Sequence, residues 1–151
     1  MSHRAQQIVE AIVTALQANT SLGAAVYQHR HYSVGEDAQE LPCVSVSIGA
    51  DNPLSDLGVE NMGFIDSLLE VSIAATARGD DEQSAIEALL ALRRQIHITL
   101  MADRSLGLAF VVDTRYGGAQ APDFDVGADR IAARLEMRWP VHYRMAISDP
   151  A

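Results

Sequence analysis

Apolar residues first recur at helical spacing. Ile8, Ile12 and Leu16 fall at i, i+4 and i+8, with Val9 and Val13 beside them. This predicts a helix over residues 3–18. Ser2 stands where an N-cap belongs, and residues 19–23 hold the stop signals. Residues 24–33 read as a strand through Val26, Tyr27 and Tyr32, and a polar loop follows over 35–40. Residues 43–49 alternate, with Val44, Val46 and Ile48 facing one way and Cys43, Ser45 and Ser47 the other. Residues 50–63 are acidic and broken by Asn52-Pro53, Gly58 and Gly63, which predicts an extended loop.

Alternation resumes over residues 64–77, with Ile65, Leu69, Val71, Ile73 and Ala75 on one face. Asp80 with Gln83 then reads as a cap and capping box opening a helix that runs to about residue 102. Its stripe is Ala85, Leu89, Leu92, Ile96 and Leu100. Residues 106–115 alternate again through Leu106, Leu108, Phe110 and Val112, and residues 117–128 read as a second loop. The last strand has the clearest pattern. Ile131, Ala133, Leu135, Met137, Trp139, Val141, Tyr143 and Met145 take the odd positions, and Arg130, Arg134, Glu136, Arg138, His142 and Arg144 the even ones.

The order is thus α-β-β-β-α-β-β. Strands in runs around one helix predict an α+β fold: a mainly antiparallel sheet with two helices packed on one face. The chain of 151 residues fits a single domain over 1–151. Pro140 on the polar side of the last strand predicts an edge or a bulge there.

Composition is ordinary for a globular protein, with 48% apolar and 21% charged residues. No apolar run reaches the ~18 residues of a membrane span. No apolar signal core follows Met1–Arg4, so secretion is not expected. Cys43 is the sole cysteine, which excludes an internal disulfide. Net charge is -9, and all 11 basic residues are arginine. Residues 31–77 carry Glu36, Asp37, Glu40, Asp51, Asp56, Glu60, Asp66 and Glu70 with no Lys or Arg. Such a chain gains little from counterion release on DNA and is repelled by anionic membranes, so neither is expected as a specific partner.

Candidate chemistry is sparse. His29 and His31 share a strand face and could begin a metal site, with Cys43 as a third donor from the next strand. Read structurally, they are a polar strand face. Asp80-Asp81-Glu82 suits helix capping as well as a divalent cation. Asp123 and Asp125 resemble a carboxylate pair but have no companion base. Ser45 and Ser47 lack a nucleophile-elbow context. No catalytic set and no cofactor site is expected. What remains is surface charge: Arg134, Arg138 and Arg144 on one strand face, against the acidic central stretch. These two surfaces could meet head to tail between subunits.

The whole pattern resembles a known family. The carrying segments are Arg4-Ala5-Gln6-Gln7-Ile8-Val9, the proline-led Leu41-Pro42-Cys43-Val44-Ser45-Val46, and Ala75-Thr76-Ala77-Arg78-Gly79. The acid-capped helix after it and Trp139-Pro140-Val141-His142-Tyr143 complete the set. Together they resemble the tail terminator proteins of long-tailed bacteriophages, of the minor tail protein class. The resemblance implies a non-enzymatic virion protein, made late, that forms a homo-hexameric ring. That ring caps the tail tube, ends its growth and offers a docking surface to the head–tail connector. Its partners would be itself, the tail tube protein and the connector protein, with DNA only passing through the channel. Its place would be the tail–neck junction of the virion, after assembly in the host cytoplasm. On this reading Arg134, Arg138 and Arg144 are candidates for the subunit or tube interface. Asp51, Asp56, Glu60, Asp123 and Asp125 are candidates for acidic loops facing the channel or an adjoining ring. The alternatives are a neck or tail-completion protein and a small α+β ligand-binding domain or enzyme.

Overall fold

The computed structural model of the protein describes residues 2–29, 42–54, 63–126 and 131–151. In chain order these form α1 (Arg4–Ala18), a 3-10 turn (Thr20–Leu22), β1 (Ala25–Gln28), β2 (Cys43–Pro53) and β3 (Phe64–Gly79). Then follow α2 (Glu82–Ala102), β4 (Val111–Thr114), β5 (Asp123–Val126) and β6 (Ile131–Ala146). The predicted order therefore stands with one short strand added. The six strands make one sheet in the order β1-β2-β3-β6-β4, with β5 also on β6. Every pairing is antiparallel except β1 with β2, which is parallel.

Alternation in β3 and β6 produces the sheet. The two strands pair without a register shift from Phe64 opposite Ala146 to Gly79 opposite Ile131. Residues facing each other across such a ladder point to the same side. Leu69, Val71, Ile73, Ala75 and Ala77 therefore share a face with Ala133, Leu135, Met137, Trp139, Val141 and Tyr143, and all are buried. α1 lies over β1 and β2, and α2 over β3 and β6. The predicted stripes of both helices are the residues buried there. Fully burying side chains such as Ile8, Ile12 or Leu89 contributes ~1.5–3 kcal/mol each. Asn19 ties the helices together by donating from Nδ2 to Thr99 Oγ1 at 2.7 Å. Arg4 ties the two ends of the described chain: its backbone N–H donates to Pro150 O at 2.8 Å.

Several local expectations are corrected. α1 is capped by His3, whose Nδ1 accepts from the Ala5 N–H at 3.0 Å, and not by Ser2. α2 is capped one residue later than expected. Asp81 accepts from the Ser84 N–H at 2.7 Å and Ser84 Oγ accepts from the Asp81 N–H at 3.1 Å, so the capping box uses Ser84 in place of Gln83. β1 ends at Gln28, and His29 follows at φ 55°, in the left-handed region; the rest of the expected strand lies outside the described residues.

The acidic segment after residue 49 is not all loop, since β2 continues to Pro53 after a bulge between Ile48 and Asp51. Ile48 itself is 42% exposed, unlike Val44 and Val46. The expected strand over 106–115 shrinks to β4, because Leu106 (φ 56°) and Gly107 (φ 69°) turn the chain first. Its buried residues are Val111 and Thr114, while Val112 is exposed. The second expected loop contains β5.

Pro140 is neither at a sheet edge nor at a bulge of the β3–β6 ladder. Its carbonyl accepts from the Arg115 N–H at 2.9 Å, so its missing donor faces the irregular stretch after β4, where no ladder bond is lost to β3.

The β2 bulge depends on Gly49. A Cβ there would sit 2.4 Å from the Glu70 carbonyl oxygen on β3. Gly49→Ala is expected to destabilise the protein by ~1–3 kcal/mol, the usual cost of forcing atoms into a packed site. Chemical denaturation measures it. A midpoint equal to that of the wild type would mean that β2 shifts at the bulge without cost.

Candidate functional site

The sheet face turned away from the helices carries the polar set. Along β6 it presents Arg134, Glu136, Arg138, Pro140, His142 and Arg144, and opposite them β3 supplies Thr76, Ala74, Ser72, Glu70, Leu68 and Asp66. The register thus interleaves acids from β3 among the arginines of β6. The row is a mosaic of alternating sign, not the arginine face with a single acid that β6 alone suggests.

Asp66 anchors one end. It is only 5% exposed. Arg144 donates from Nε to Oδ1 at 2.8 Å and from Nη2 to Oδ2 at 3.4 Å. His142 Nε2 lies 3.6 Å from Oδ2. The Arg144 hydrogen bond holds the Asp66 carboxyl below its ordinary value, with burial opposing, and the same contact raises the Arg144 guanidinium. Arg144 is thereby committed to its own subunit.

In the middle, Glu136 accepts from Ser72 Oγ at 2.7 Å and lies 3.8 Å from Arg134 Nη1. Arg134 is also directly opposite Asp123 of β5. Arg138 is exposed and, among the described residues, makes no ion pair. Of the three candidate interface arginines, Arg138 has the least intramolecular commitment.

The candidate loop acids separate. Asp51 lies in β2, and its carboxylate accepts from Tyr143 OH at 2.5 Å and from Ser67 Oγ. It therefore holds the end of the core, where burial and then Asp51 push the Tyr143 hydroxyl upward. Asp123 and Asp125 are exposed on β5 and not in a loop. Asp56 and Glu60 lie outside the described residues, as does His31. His29 is half-buried, and the parallel β1–β2 register puts it near Ser47, ~13 Å along the strand from Cys43. Among the described residues no three His, Cys, Asp or Glu side chains gather as metal ligands.

Two clusters went unread in the sequence. Asp113 on β4 accepts from Arg104 Nε and Nη2 at 2.6 and 2.7 Å and from Arg115 Nε at 3.2 Å. Burial pushes its carboxyl up, but the two guanidiniums prevail and hold it low. On the helix side, Trp139 packs edge-to-face with Tyr116 and His97, with ring centroids 5.3 and 5.5 Å away. The Arg93 guanidinium lies 5.3 Å from the Tyr116 centroid. Neither is signalled by a local motif, because the first joins the turn after α2 to β4 and the second joins α2 to β6 and the stretch after β4.

Comparison with protein-family models and with curated proteins finds no match. Among solved structures, the fold is similar to that of a chain in the virion of a native gene transfer agent (GTA) particle. The TM-score is 0.59 and the identity 17%, over 91% of this chain and 94% of that one. Likeness at this identity establishes a shared fold.

The Asp66 cluster carries a pH signature. The ordinary carboxyl value is 3.8 and the folded value is lower. The stabilisation from ionised Asp66 is therefore present above that value and is lost as pH falls through the folded one. Thermal melts should show Asp66→Asn less stable than wild type at neutral pH, with the gap closing as pH falls below about 4. A gap independent of pH would remove the charge pairing as its source.

Proposed function

We propose that this protein is a structural subunit of a phage-like particle, acting as a tail-terminator ring that caps the tail tube and presents a docking surface to the head connector. The observation that carries the reading is the fold likeness to a gene transfer agent virion chain, which spans nearly the whole of both chains. The likeness supports a virion subunit, and the segment-by-segment resemblance of the sequence to tail terminators supports the finer assignment to the end of the tail tube.

The surface chemistry is compatible with this role. A terminator must match the tube end on one side and fail to reproduce it on the other. The sheet face offers a mosaic of charges in fixed register, and Arg138 within it is uncommitted. Single exposed pairs contribute ~0–1 kcal/mol, so a ring contact must use many of them at once. The excess negative charge of the chain would keep passing DNA from adhering. Catalysis and cofactors have no part in this role.

Deleting the gene is expected to leave DNA-filled heads unjoined to tails, and tubes longer than normal, in electron micrographs of the lysate. Tails of normal length that fail to join heads would assign the protein to the neck or to tail completion. Normal infectious particles would overturn the assembly role.

A further inference from the structure

The outer surface of α2 changes sign along its length. Residues 80–87 hold Asp80, Asp81, Glu82 and Glu87 and no base. Residues 88–92 read Ala-Leu-Leu-Ala-Leu, and residues 93–102 hold Arg93 and Arg94 and no acid. The buried stripe of Ala85, Leu89, Leu92, Ile96 and Leu100 fixes which residues point away from the sheet. At ~100° per residue, Glu87, Arg94 and Ile98 fall on one line opposite that stripe, with Leu90 and Ala91 on either side of it. All five are exposed, Leu90 at 48% and Ile98 at 47%. α1, beside it, exposes no large apolar residue.

Glu87 and Arg94 are seven residues apart, ~10.5 Å along the axis, which is too far to pair within one helix. Among the described residues neither makes an ion pair, and Glu87 Oε1 accepts from Gln83 Nε2 at 3.1 Å. An acid, an apolar centre and a base in this order complement the same surface run in the opposite direction. A parallel copy in register would set like charges together, and a partner of one sign would match one half and be repelled by the other.

We propose that α2 packs antiparallel against α2 of a second copy, about a two-fold axis between Leu90 and Ala91. Residues whose numbers sum to 181 then lie at one level. Glu87 faces the other copy's Arg94, and Arg94 faces its Glu87, so the ion pair is made twice. The two Leu90 side chains meet beside the axis. The two Ala91 residues lie on its other side, where their small size lets the helices approach to the usual ~8–10 Å. Ile98 covers the other copy's Gln83. The two Glu87 residues stay ~10.5 Å apart along the axis, as do the two Arg94 residues, so no like charges oppose each other. The antiparallel arrangement also opposes the two helix dipoles favourably. One surface carries both halves of the contact, so it closes as a dimer and does not propagate. A single helix face makes a small interface, so the dimer is weak. This pairing concerns the free chain and does not rest on the ring reading.

Sedimentation velocity on the purified protein, from about 10 μM to about 1 mM, tests it. The wild type should pass with concentration from the 16.3 kDa subunit toward twice that mass. Glu87→Arg and Arg94→Glu, as separate variants, should each raise the dissociation constant at least ~10-fold, because each sets like charges together at both contacts. Leu90→Asp should do the same. An equimolar mixture of the two charge variants should recover the dimer, and so should the double variant Glu87→Arg with Arg94→Glu, since both restore opposite charges at both contacts. All three positions are exposed, and circular dichroism melts confirm that the variants fold. A wild type that stays monomeric, or whose assembly neither charge reversal weakens, would overturn the proposal. So would losses that neither the mixture nor the double variant repairs. None of these results would alter the lysate phenotype on which the ring reading stands.

Discussion

Everything else in this molecule hangs on the unbroken pairing of β3 with β6. Sixteen residues of each strand match in a single register. A slip by one residue would turn Trp139, Val141 and Tyr143 to the polar face and Arg138 and His142 under the helices. Burial of Met137, Trp139, Val141 and Tyr143, all fully inaccessible, opposes any such slip. The same register that builds the core then decides which charges meet on the far side. Asp66 finds Arg144, and Ser72 lies within reach of Glu136, only because the apolar face is locked.

Pro140 shows how the register imposes irregularity at one edge while leaving the other side of β6 intact. Its ring removes a donor on the side away from β3. The chain there detours between β4 and β5, bonding instead through Arg115 to the Pro140 carbonyl and through Gly117 to the Arg138 carbonyl. The detour comes so close that a Cβ on Gly117 would sit 2.7 Å from the Pro140 ring. A proline in an inner strand and a glycine on its neighbour are therefore two halves of one arrangement. It splits what could have been a single long edge strand into two short ones, which limits indiscriminate sheet growth.

Long elements with strong periods were legible in the sequence, and short non-local ones were not. The stripes of α1 and α2 and the alternation of β3 and β6 appear in single windows, because each element buries one face along its whole length. β4 and β5 have four residues each and exist through pairing with β6, which no local window contains. Leu106 through Phe110 alternate in sequence, yet positive φ at Leu106 and Gly107 breaks the extended backbone. Each cap lies one residue from where the sequence puts it, because Ser2 and His3, or Asp80 and Asp81, offer similar acceptors and only the backbone path selects one. Arg134, Arg138 and Arg144 were correctly placed on one face. The neutralisation of Arg144 by Asp66 is not legible there, because it depends on a β3 partner whose register cannot be read from β6 alone.

That neutralisation shapes what the polar face can recognise. A uniform row of arginines would cast a field over any anion, and DNA would be the strongest competitor. Interleaved with Asp66, Glu70 and Glu136, the same arginines cancel at a distance. Their separate signs matter only within a Debye length, ~8 Å at physiological salt. A partner must then present the complementary sequence of charges at strand spacing to gain from them. Repeating protein surfaces in fixed register meet that demand, while a phosphate backbone of uniform sign does not. The mosaic thus trades range for discrimination, which is what a subunit needs if it must dock on one ordered protein surface in the presence of nucleic acid.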